Sequence, residues 1–248
     1  MPKLQVNGIE MYYEIHGEGE PLIFLHGFAG SNKSWNEYIP HFKEDFQVIT
    51  ISQRGHGQST NPTNKFTHRQ SAYDVYALLD QLEAGLLKAV GYSSGGMTLL
   101  HMATQQPERI TDMVLMAATP YYPQKCRDIQ SLMLEPEWDE MWASFIDHHT
   151  SEEQLAKLRR QFYEFKESYD DMNFTPPLIS TIKSRTLIIH GDRDPFFPVD
   201  IPIILYKSIP DSYLWIMPNT GHGVEELPNS CLSKTLRDFF THNWETDI

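Results

Sequence analysis

Gly91-Tyr92-Ser93-Ser94-Gly95-Gly96 joins an apolar run that predicts a buried strand, Leu86–Val90, to a segment that predicts a helix, Met97–Ala103. A strand that turns into a helix over so few residues holds its central residue in a strained backbone, and flanking glycines leave room for the close approach. This is the nucleophile-elbow pattern G-x-S-x-G, with the Ser93 hydroxyl exposed beside a helix N-terminus. The alternative is a simple helix-capping turn, because serine is a common N-cap residue.

The positions of the glycines distinguish the two adjacent serines. Ser93 has Gly91 and Gly95 two residues away on either side. Ser94 would instead have Tyr92 two residues before it, and that side chain does not meet the steric requirement. We therefore predict that Ser93 supplies the nucleophilic hydroxyl, and that Ser94 contributes its backbone N–H and not its hydroxyl.

The composition of the chain limits its class. With 248 residues, 40% of them hydrophobic, it suits one α/β domain with a large core. Its apolar runs are too short to span a bilayer, and the N-terminus has no signal-peptide core. The net charge of −13 disfavours nucleic acid and anionic membranes as partners. Cys126 and Cys231 lie outside any metal-ligand spacing, which favours free thiols in the cytoplasm, with one disulfide as the alternative.

Short continuous apolar runs predict strands that are buried on both faces of a parallel sheet. These runs are Leu22–Leu25, Gln47–Ile51, Leu87–Val90, Met113–Met116, Leu187–Ile189 and Tyr213–Met217. Before them, Asn7-Gly8 predicts the turn of a β-hairpin. Strands and helical segments alternate up to residue 119 and again from about residue 184. This alternation indicates a doubly wound α/β sheet, whose ligand sites lie at the carboxyl ends of its strands.

The alternation stops between residues 121 and 180, where two apolar helical faces occur instead. One face consists of Trp138, Met141, Trp142, Phe145 and Ile146, and the other of Leu155, Leu158, Phe162 and Phe165. Thr150 or Ser151, followed by Glu153 or Gln154, predicts a capping box for the second helix. We expect residues 121–180 to form a helical cap inserted into a core of residues 1–120 and 181–248. The alternative is an ordinary helical excursion packed on that core.

Loops that follow the late predicted strands supply partners for Ser93. His222 lies between two glycines after the last strand and is the predicted base that accepts the Ser93 proton. Asp194 is the predicted acid that orients His222, in preference to Asp192, which suits a turn or a solvated position. The order Ser, Asp, His along the chain is the order of this type of triad.

Two backbone N–H groups are predicted to form an oxyanion hole, that of Ser94 and that of Phe28 in the turn after Leu22–Leu25. The turn Ser52–Ser59 lacks the third glycine of GxGxxG and the GK[ST] of a P-loop, so we predict a tight turn beside the site. Aromatic residues and Met133 could line an apolar pocket or belong to the core. The candidates are Tyr92, Tyr121, Trp138, Trp142, Phe196, Phe28, Tyr122 and Met133.

Together these motifs resemble the α/β-hydrolase superfamily in its capped, esterase-like serine branch. The matching segments are His26-Gly27-Phe28 with Trp35 shortly after, Arg54–Ser59, Gly91–Gly96, Gly191–Pro198 and Gly221-His222. The resemblance implies an eight-stranded, mostly parallel sheet, a lid between strands six and seven, and a site without cofactor or metal. The chain departs from the pattern at Ser52, often acidic in relatives, and at Ser94, often bulky. A serine nucleophile separates it from the epoxide-hydrolase and haloalkane-dehalogenase branches, which use aspartate.

The expected activity is hydrolysis of a small, mostly apolar ester, thioester or lactone through an acyl-enzyme intermediate. C–C bond hydrolases, proline iminopeptidases, lyases and cofactor-free oxygenases share the triad pattern and are alternatives on the same scaffold. A ligand sensor or signalling regulator of the same fold is the alternative from another class, and the absence of turnover would distinguish it. The expected partner is a small-molecule substrate, and the sequence leaves the oligomeric state open.

Overall fold

In a computed structural model of the chain, which describes residues 2–226 and 231–244, eight strands form one sheet. They are β1 (Lys3–Val6), β2 (Ile9–His16), β3 (Glu20–Leu25), β4 (Phe46–Ile51), β5 (Leu87–Tyr92), β6 (Ile110–Met116), β7 (Arg185–Gly191) and β8 (Ser212–Met217). Their order in the sheet is β1-β2-β4-β3-β5-β6-β7-β8. Strand β2 pairs antiparallel with β1 and β4, and the other neighbours pair in parallel. The predicted mostly parallel, doubly wound sheet is confirmed.

The hairpin at the edge of the sheet forms as predicted. Val6 pairs with Ile9 across Asn7 and Gly8, whose φ angles are 44° and 79°. Two-residue hairpin turns of this kind need positive φ at both central positions, which Asn and Gly tolerate best. The Asn-Gly pair therefore fixes the register between β1 and β2.

The central strands are buried on both faces, as their apolar runs predict. Lys88, a charged residue inside one of these runs, is compensated by Asp112 of β6, whose carboxylate lies 2.6 Å from the Lys88 Nζ. Asp112 also accepts a hydrogen bond from Arg185 Nε at 2.7 Å. Leu86 was expected to begin strand β5, but it lies outside the strand and is 60% exposed.

Helices cover both faces of the sheet. They are α1 (Ile39–Phe42), α2 (His68–Gln81), α3 (Ser94–Gln105), α4 (Gln124–Leu132), α5 (Asp139–Ala143), α6 (Glu152–Glu164), α7 (Pro176–Ile179), α8 (Asp200–Ser208) and α9 (Cys231–Phe240). Short 3₁₀ helices span Asn32–Trp35, Pro136–Trp138, Ile146–His148, Phe165–Glu167 and Val224–Glu226. One large apolar cluster includes side chains of α2, α3 and α8, and a second includes those of α1 and α9. Within the described ranges, no helix combines the length and apolar character needed to cross a membrane. Cys126 and Cys231 are both free thiols.

Helices α4 to α7 lie in the segment between β6 and β7, residues 117–184, which we call the insert. The expectation of one helix over Trp138–Ile146 is wrong, because α5 is flanked by two 3₁₀ turns. Aromatic residues and the run His148-His149-Thr150 have weak helix propensity, so local preference does not sustain a longer helix there. The apolar side chains still pack into one cluster around Trp142, together with Leu155 and Leu158 of α6.

The start of α6 carries a modified capping box that also ties the insert to the core. Ser151 is the N-cap, and its Oγ accepts a hydrogen bond from the Gln154 N–H at 3.2 Å. The Gln154 Oε1 accepts from the Thr150 N–H at 2.9 Å, one residue before the position expected for a capping box. The Gln154 Nε2 donates to the carbonyls of Gly55 and Gly57, at 2.8 and 3.0 Å.

Candidate active site

Ser93 lies at the apex of the turn between β5 and α3. Its backbone has φ 49° and ψ −114°, a strained conformation for a residue with a side chain. A Cβ atom added to Gly91 would lie 2.6 Å from the Gly95 carbonyl carbon, and one added to Gly95 would collide with the backbone of Leu25. Both glycines are therefore sterically required, as the elbow pattern predicts.

A chain of hydrogen bonds joins Ser93, His222 and Asp194. Nε2 of His222 lies 2.9 Å from Ser93 Oγ, and Nδ1 of His222 lies 2.7 Å from Asp194 Oδ2. The three residues follow β5, β8 and β7, whose carboxyl ends meet at one edge of the parallel sheet. The carboxylate accepts the Nδ1 proton, so Nε2 is free to accept the Ser93 hydroxyl proton. The arrangement suits transfer of that proton to His222.

The surroundings of Asp194 keep its carboxylate ionised. Its Oδ1 accepts the N–H groups of Phe196 and Phe197, at 2.8 and 3.0 Å. Burial alone would raise the pKa of Asp194, but the hydrogen bond and charge of His222 outweigh burial and hold that pKa below its usual range. The Nε2 of His190 lies 3.8 Å from Asp194 Oδ2 and donates a hydrogen bond to the Phe197 carbonyl.

Asp192, the less favoured acid, lies in the same loop but contacts other groups. Its Oδ1 accepts the Thr220 N–H at 3.3 Å, and its other oxygen lies 3.7 Å from Arg193. These contacts suit the turn-forming role predicted for Asp192.

The residues that carry the two predicted oxyanion donors line the same cavity as Ser93. Ser94 is the first residue of α3, where backbone N–H groups have no acceptor within the helix. Phe28 follows His26 and Gly27, and a Cβ atom on Gly27 would lie 3.5 Å from the Ser93 Cβ. His26 fixes this turn, since its Nε2 accepts the Gln53 N–H at 3.0 Å and its Nδ1 donates to the Gly27 carbonyl at 2.7 Å.

The segment Ser52–Ser59 forms a tight turn next to the Phe28 turn. The backbone N–H groups of His56 and Ser59 donate to the carbonyls of Gln53 and His56, each at 2.9 Å. The His56 ring packs against the Phe28 ring with centroids 4.8 Å apart. Burial lowers the pKa of His56 well below its usual range, so it acts as a neutral packing residue.

A cavity of about 670 Å³ opens at Ser93 between the core and the insert. This volume lies within the range of small-molecule sites, roughly 300–1,000 Å³. Of the residues expected to line a pocket, those that do so are Tyr92, Trp142, Phe196, Phe28 and Tyr122. Tyr121, Trp138 and Met133 lie outside this lining. Tyr121 is 38% exposed and bridges to Asn173, while Trp138 and Met133 pack within the insert.

Some lining residues, such as Phe162, Phe165 and Gln130, could not be assigned to the cavity from the sequence. Phe162 and Phe165 appear there as a helical face, but nothing local indicates that this face meets Ser93. Gln130 and Trp142 contribute buried polar atoms to the cavity wall, the Gln130 amide and the Trp142 Nε1. In the described part of the chain, these atoms have no hydrogen-bond partner.

The sheet order, the elbow and the Ser–His–Asp geometry at the carboxyl edge define the class of α/β hydrolases. A family model described as the alpha/beta hydrolase fold matches residues 20–151, and the chain belongs to this family.

Relatives with known names support a hydrolase activity. The serine hydrolase BPHL of Mus musculus is 27% identical over 234 residues, which cover 90% of this chain and 80% of that protein. The 2-hydroxy-6-oxo-6-phenylhexa-2,4-dienoate hydrolase from Rhodococcus sp. strain RHA1 superposes with a TM-score of 0.82 at 18% identity, covering 96% of this chain and 97% of its own. The enol-lactonase from Burkholderia xenovorans LB400 has a TM-score of 0.77 at 21% identity, covering 97% and 100%. At these identities the two structures show a shared fold alone.

Proposed function

We propose that this hydrolase is a serine hydrolase that cleaves a small, mostly apolar carboxylic ester, thioester or lactone. The hydrogen-bonded chain Ser93–His222–Asp194 is the observation that carries the proposal, with distances of 2.9 and 2.7 Å. The mouse relative, named a serine hydrolase, supports the same type of nucleophile.

Each group has a defined role in the proposed reaction. Ser93 Oγ forms a bond to the acyl carbon while its proton passes to Nε2 of His222. The N–H groups of Phe28 and Ser94 stabilise the resulting oxyanion. The bond to the leaving group then breaks, and His222 donates its proton to the departing oxygen or sulfur. Water repeats the sequence with His222 as base, releasing the acid and restoring the Ser93 hydroxyl.

The cavity supports the proposed substrate class. Its aromatic lining includes Phe28, Trp142 and Phe196, which favours substrates with an apolar body. Trp142 belongs to the insert, so residues 121–180 are proposed to act as a cap that completes the pocket over Ser93. The enol-lactonase named above acts, by its name, on a substrate of this general class.

A panel of p-nitrophenyl esters with increasing acyl length, together with lactones, tests the proposal. We expect multiple turnovers of at least one ester, and the Ser93→Ala variant should lose about 10⁴-fold or more in kcat. Ser180→Ala is a matched control, because Ser180 is exposed and its hydroxyl only donates to the Pro177 carbonyl. Undiminished activity of Ser93→Ala would refute the mechanism, and a single stoichiometric release of product would favour a sensor.

A further inference from the structure

A second Ser–His–Asp arrangement lies beside the first. Ser94 Oγ lies 3.0 Å from Nε2 of His68, and Nδ1 of His68 lies 2.7 Å from Oδ2 of Asp171. The corresponding distances for the residues joined to Ser93 are 2.9 and 2.7 Å. We call Ser94, His68 and Asp171 the Ser94 network. It links the first residue of α3 to the first residue of α2 and to the insert.

Asp171 is the fixed end of the Ser94 network. Its carboxylate accepts the backbone N–H groups of His68 and Arg69, at 2.8 and 3.0 Å, and so binds the N-terminus of α2. His101 donates from Nε2 to the Asp171 carbonyl at 2.8 Å. Burial alone would raise the pKa of Asp171, but hydrogen bonds from His101 and His68 outweigh burial and hold it far below its usual range.

The ionised carboxylate determines the direction of the hydrogen bonds. His68 donates from Nδ1 to Asp171, so its Nε2 accepts the Ser94 hydroxyl proton. His68 is fully buried and Ser94 is 3% exposed, and the rings of Phe66 and Phe165 pack on His68 with centroids 5.2 and 5.5 Å away. His68 and Ser94 both line the cavity, but their polar side-chain atoms are already hydrogen-bonded to each other and to Asp171, so the network suits the positioning of other groups.

The group that the network can position is the Ser94 N–H. This N–H begins α3 and has no helical hydrogen bond to hold it. The side-chain hydroxyl of the same residue is anchored to His68, so it restrains the Cα and the adjacent peptide. Oxyanion donors act through preorganisation. Their orientation therefore changes the free energy of the transition state more than the affinity for the substrate.

We propose that His68 and Asp171 are positioning residues that align the Ser94 N–H of the oxyanion hole and connect it to the insert. The inference rests on the proposed serine hydrolase function. It also gives the Ser94 hydroxyl a role, whereas the spacing of the glycines assigned a role only to the backbone N–H.

Labelling with a fluorophosphonate tests the proposal without knowledge of the natural substrate. In this reaction Ser93 Oγ forms a bond to phosphorus, fluoride leaves, and His222 takes the proton, while the phosphoryl oxygen occupies the oxyanion hole. Ser94→Ala retains the N–H but loses its anchor, so we expect the second-order labelling rate to fall about 10-fold, less than the 10²–10³ typical for loss of a whole donor. With an active ester, kcat should fall by a similar factor at unchanged KM.

His68→Asn and His101→Asn form a matched pair of variants. Both remove a histidine partner of Asp171, but only His68 contacts the Ser94 hydroxyl. We expect His68→Asn to slow labelling about as much as Ser94→Ala and His101→Asn to label at nearly the wild-type rate. Urea unfolding curves of both variants, measured at the assay temperature, check that each variant is folded.

Two results would overturn the proposal: wild-type labelling of Ser94→Ala, or equal slowing by His68→Asn and His101→Asn. Either result would assign the network to stability alone. Failure of the proposed function has a different signature, because Ser93→Ala would then still be labelled or the wild-type protein would not be labelled at all.

Discussion

Ser93 and Ser94 are neighbours in one turn, yet their backbones and hydrogen bonds differ. Ser93 has the strained φ of 49° and bonds to His222, which is 18% exposed at the cavity. Ser94 begins a regular helix and bonds to the fully buried His68. The difference follows from the glycines, since only Ser93 has one on both sides at the required spacing. At this scale, backbone strain separates a candidate nucleophile from a side chain that is proposed to position the adjacent backbone N–H.

Neutralising Asp194 and neutralising Asp192, the two carboxylates of the loop after β7, should have very different effects on kcat. Asp194→Asn keeps the shape of the side chain but favours the wrong His222 tautomer, so we expect kcat to fall about 10⁴-fold. Asp192→Asn should keep kcat within a few-fold, because Asp192 contacts Thr220 and Arg193 rather than His222. The measurement is ester hydrolysis at saturating substrate. The reverse ranking would move the acid to Asp192.

Gln130 should reduce the stability of the folded protein. Its side chain is fully buried, and neither of its amide atoms has a hydrogen-bond partner in the described ranges. An unsatisfied buried polar group costs about 1–3 kcal/mol, so Gln130→Leu should raise the free energy of unfolding by roughly that amount. Urea denaturation measures the change, with Gln124→Leu on the exposed side of α4 as control. A loss of stability in Gln130→Leu would show that the amide is satisfied, for example by water.

At the scale of elements, the insert is held to the core by polar contacts around the Gly55–Gly57 turn. Gln154 of α6 donates to both glycine carbonyls. His149 donates from Nε2 to the Ala29 carbonyl at 2.9 Å, and its Nδ1 accepts the Gly57 N–H at 3.2 Å. These bonds require a neutral His149, because a protonated Nδ1 cannot accept.

Acidification should therefore destabilise the folded protein through His149. Burial lowers the pKa of His149 to about 4, whereas an exposed histidine titrates near 6.5. Between these values the unfolded chain binds a proton that the folded chain does not, so the free energy of unfolding falls as pH falls from about 6.5 to about 4. Burial also lowers the pKa of the neighbouring His148, in the same direction.

The slope of stability against pH measures this effect. In urea unfolding between pH 7 and pH 4.5, His149→Asn should show a shallower slope than the wild-type protein, because Asn offers an acceptor that does not titrate. Identical slopes would mean that His149 does not contribute to the pH dependence.

Elements with strong local sequence patterns can be predicted from the sequence. Elements and contacts that depend on residues distant in the chain cannot. The strands and the elbow are predictable because buried parallel strands are continuously apolar and the turn needs glycines at fixed positions. The segment around α5 is not, because its aromatic residues pack together without specifying one helix. His68 and Asp171 are 103 residues apart, and neither lies in a motif. Only the assembled fold shows that they meet at Ser94.

At the scale of the whole molecule, the carboxyl ends and the amino ends of the parallel strands carry different chemistry. The carboxyl ends of β5, β7 and β8 lead to Ser93, Asp194 and His222. The opposite ends of these strands hold the ion pairs of Asp112 with the buried Lys88 and the half-buried Arg185, at 2.6 and 2.7 Å. Hydrogen bonds from these two cations hold the pKa of Asp112 below its usual range, against the effect of burial, so the carboxylate is ionised. This division predicts that stability and activity respond separately to substitution.

Asp112→Asn tests that division. It leaves Lys88, which is only 4% exposed, without its main counter-charge, and breaking one side of a buried ion pair costs about 3–5 kcal/mol. We expect the urea midpoint to fall by a corresponding amount, while kcat and KM of the folded fraction stay unchanged because the substitution lies at the far ends of the strands from Ser93. A matched Lys88→Met, Asp112→Leu double variant should recover part of the lost stability, since apolar replacement of a buried pair is often neutral, whereas Arg185 still loses its carboxylate partner. A fall in kcat for folded Asp112→Asn would show that strain is transmitted along β5 and β6 to the elbow, and that the two ends of the strands are coupled.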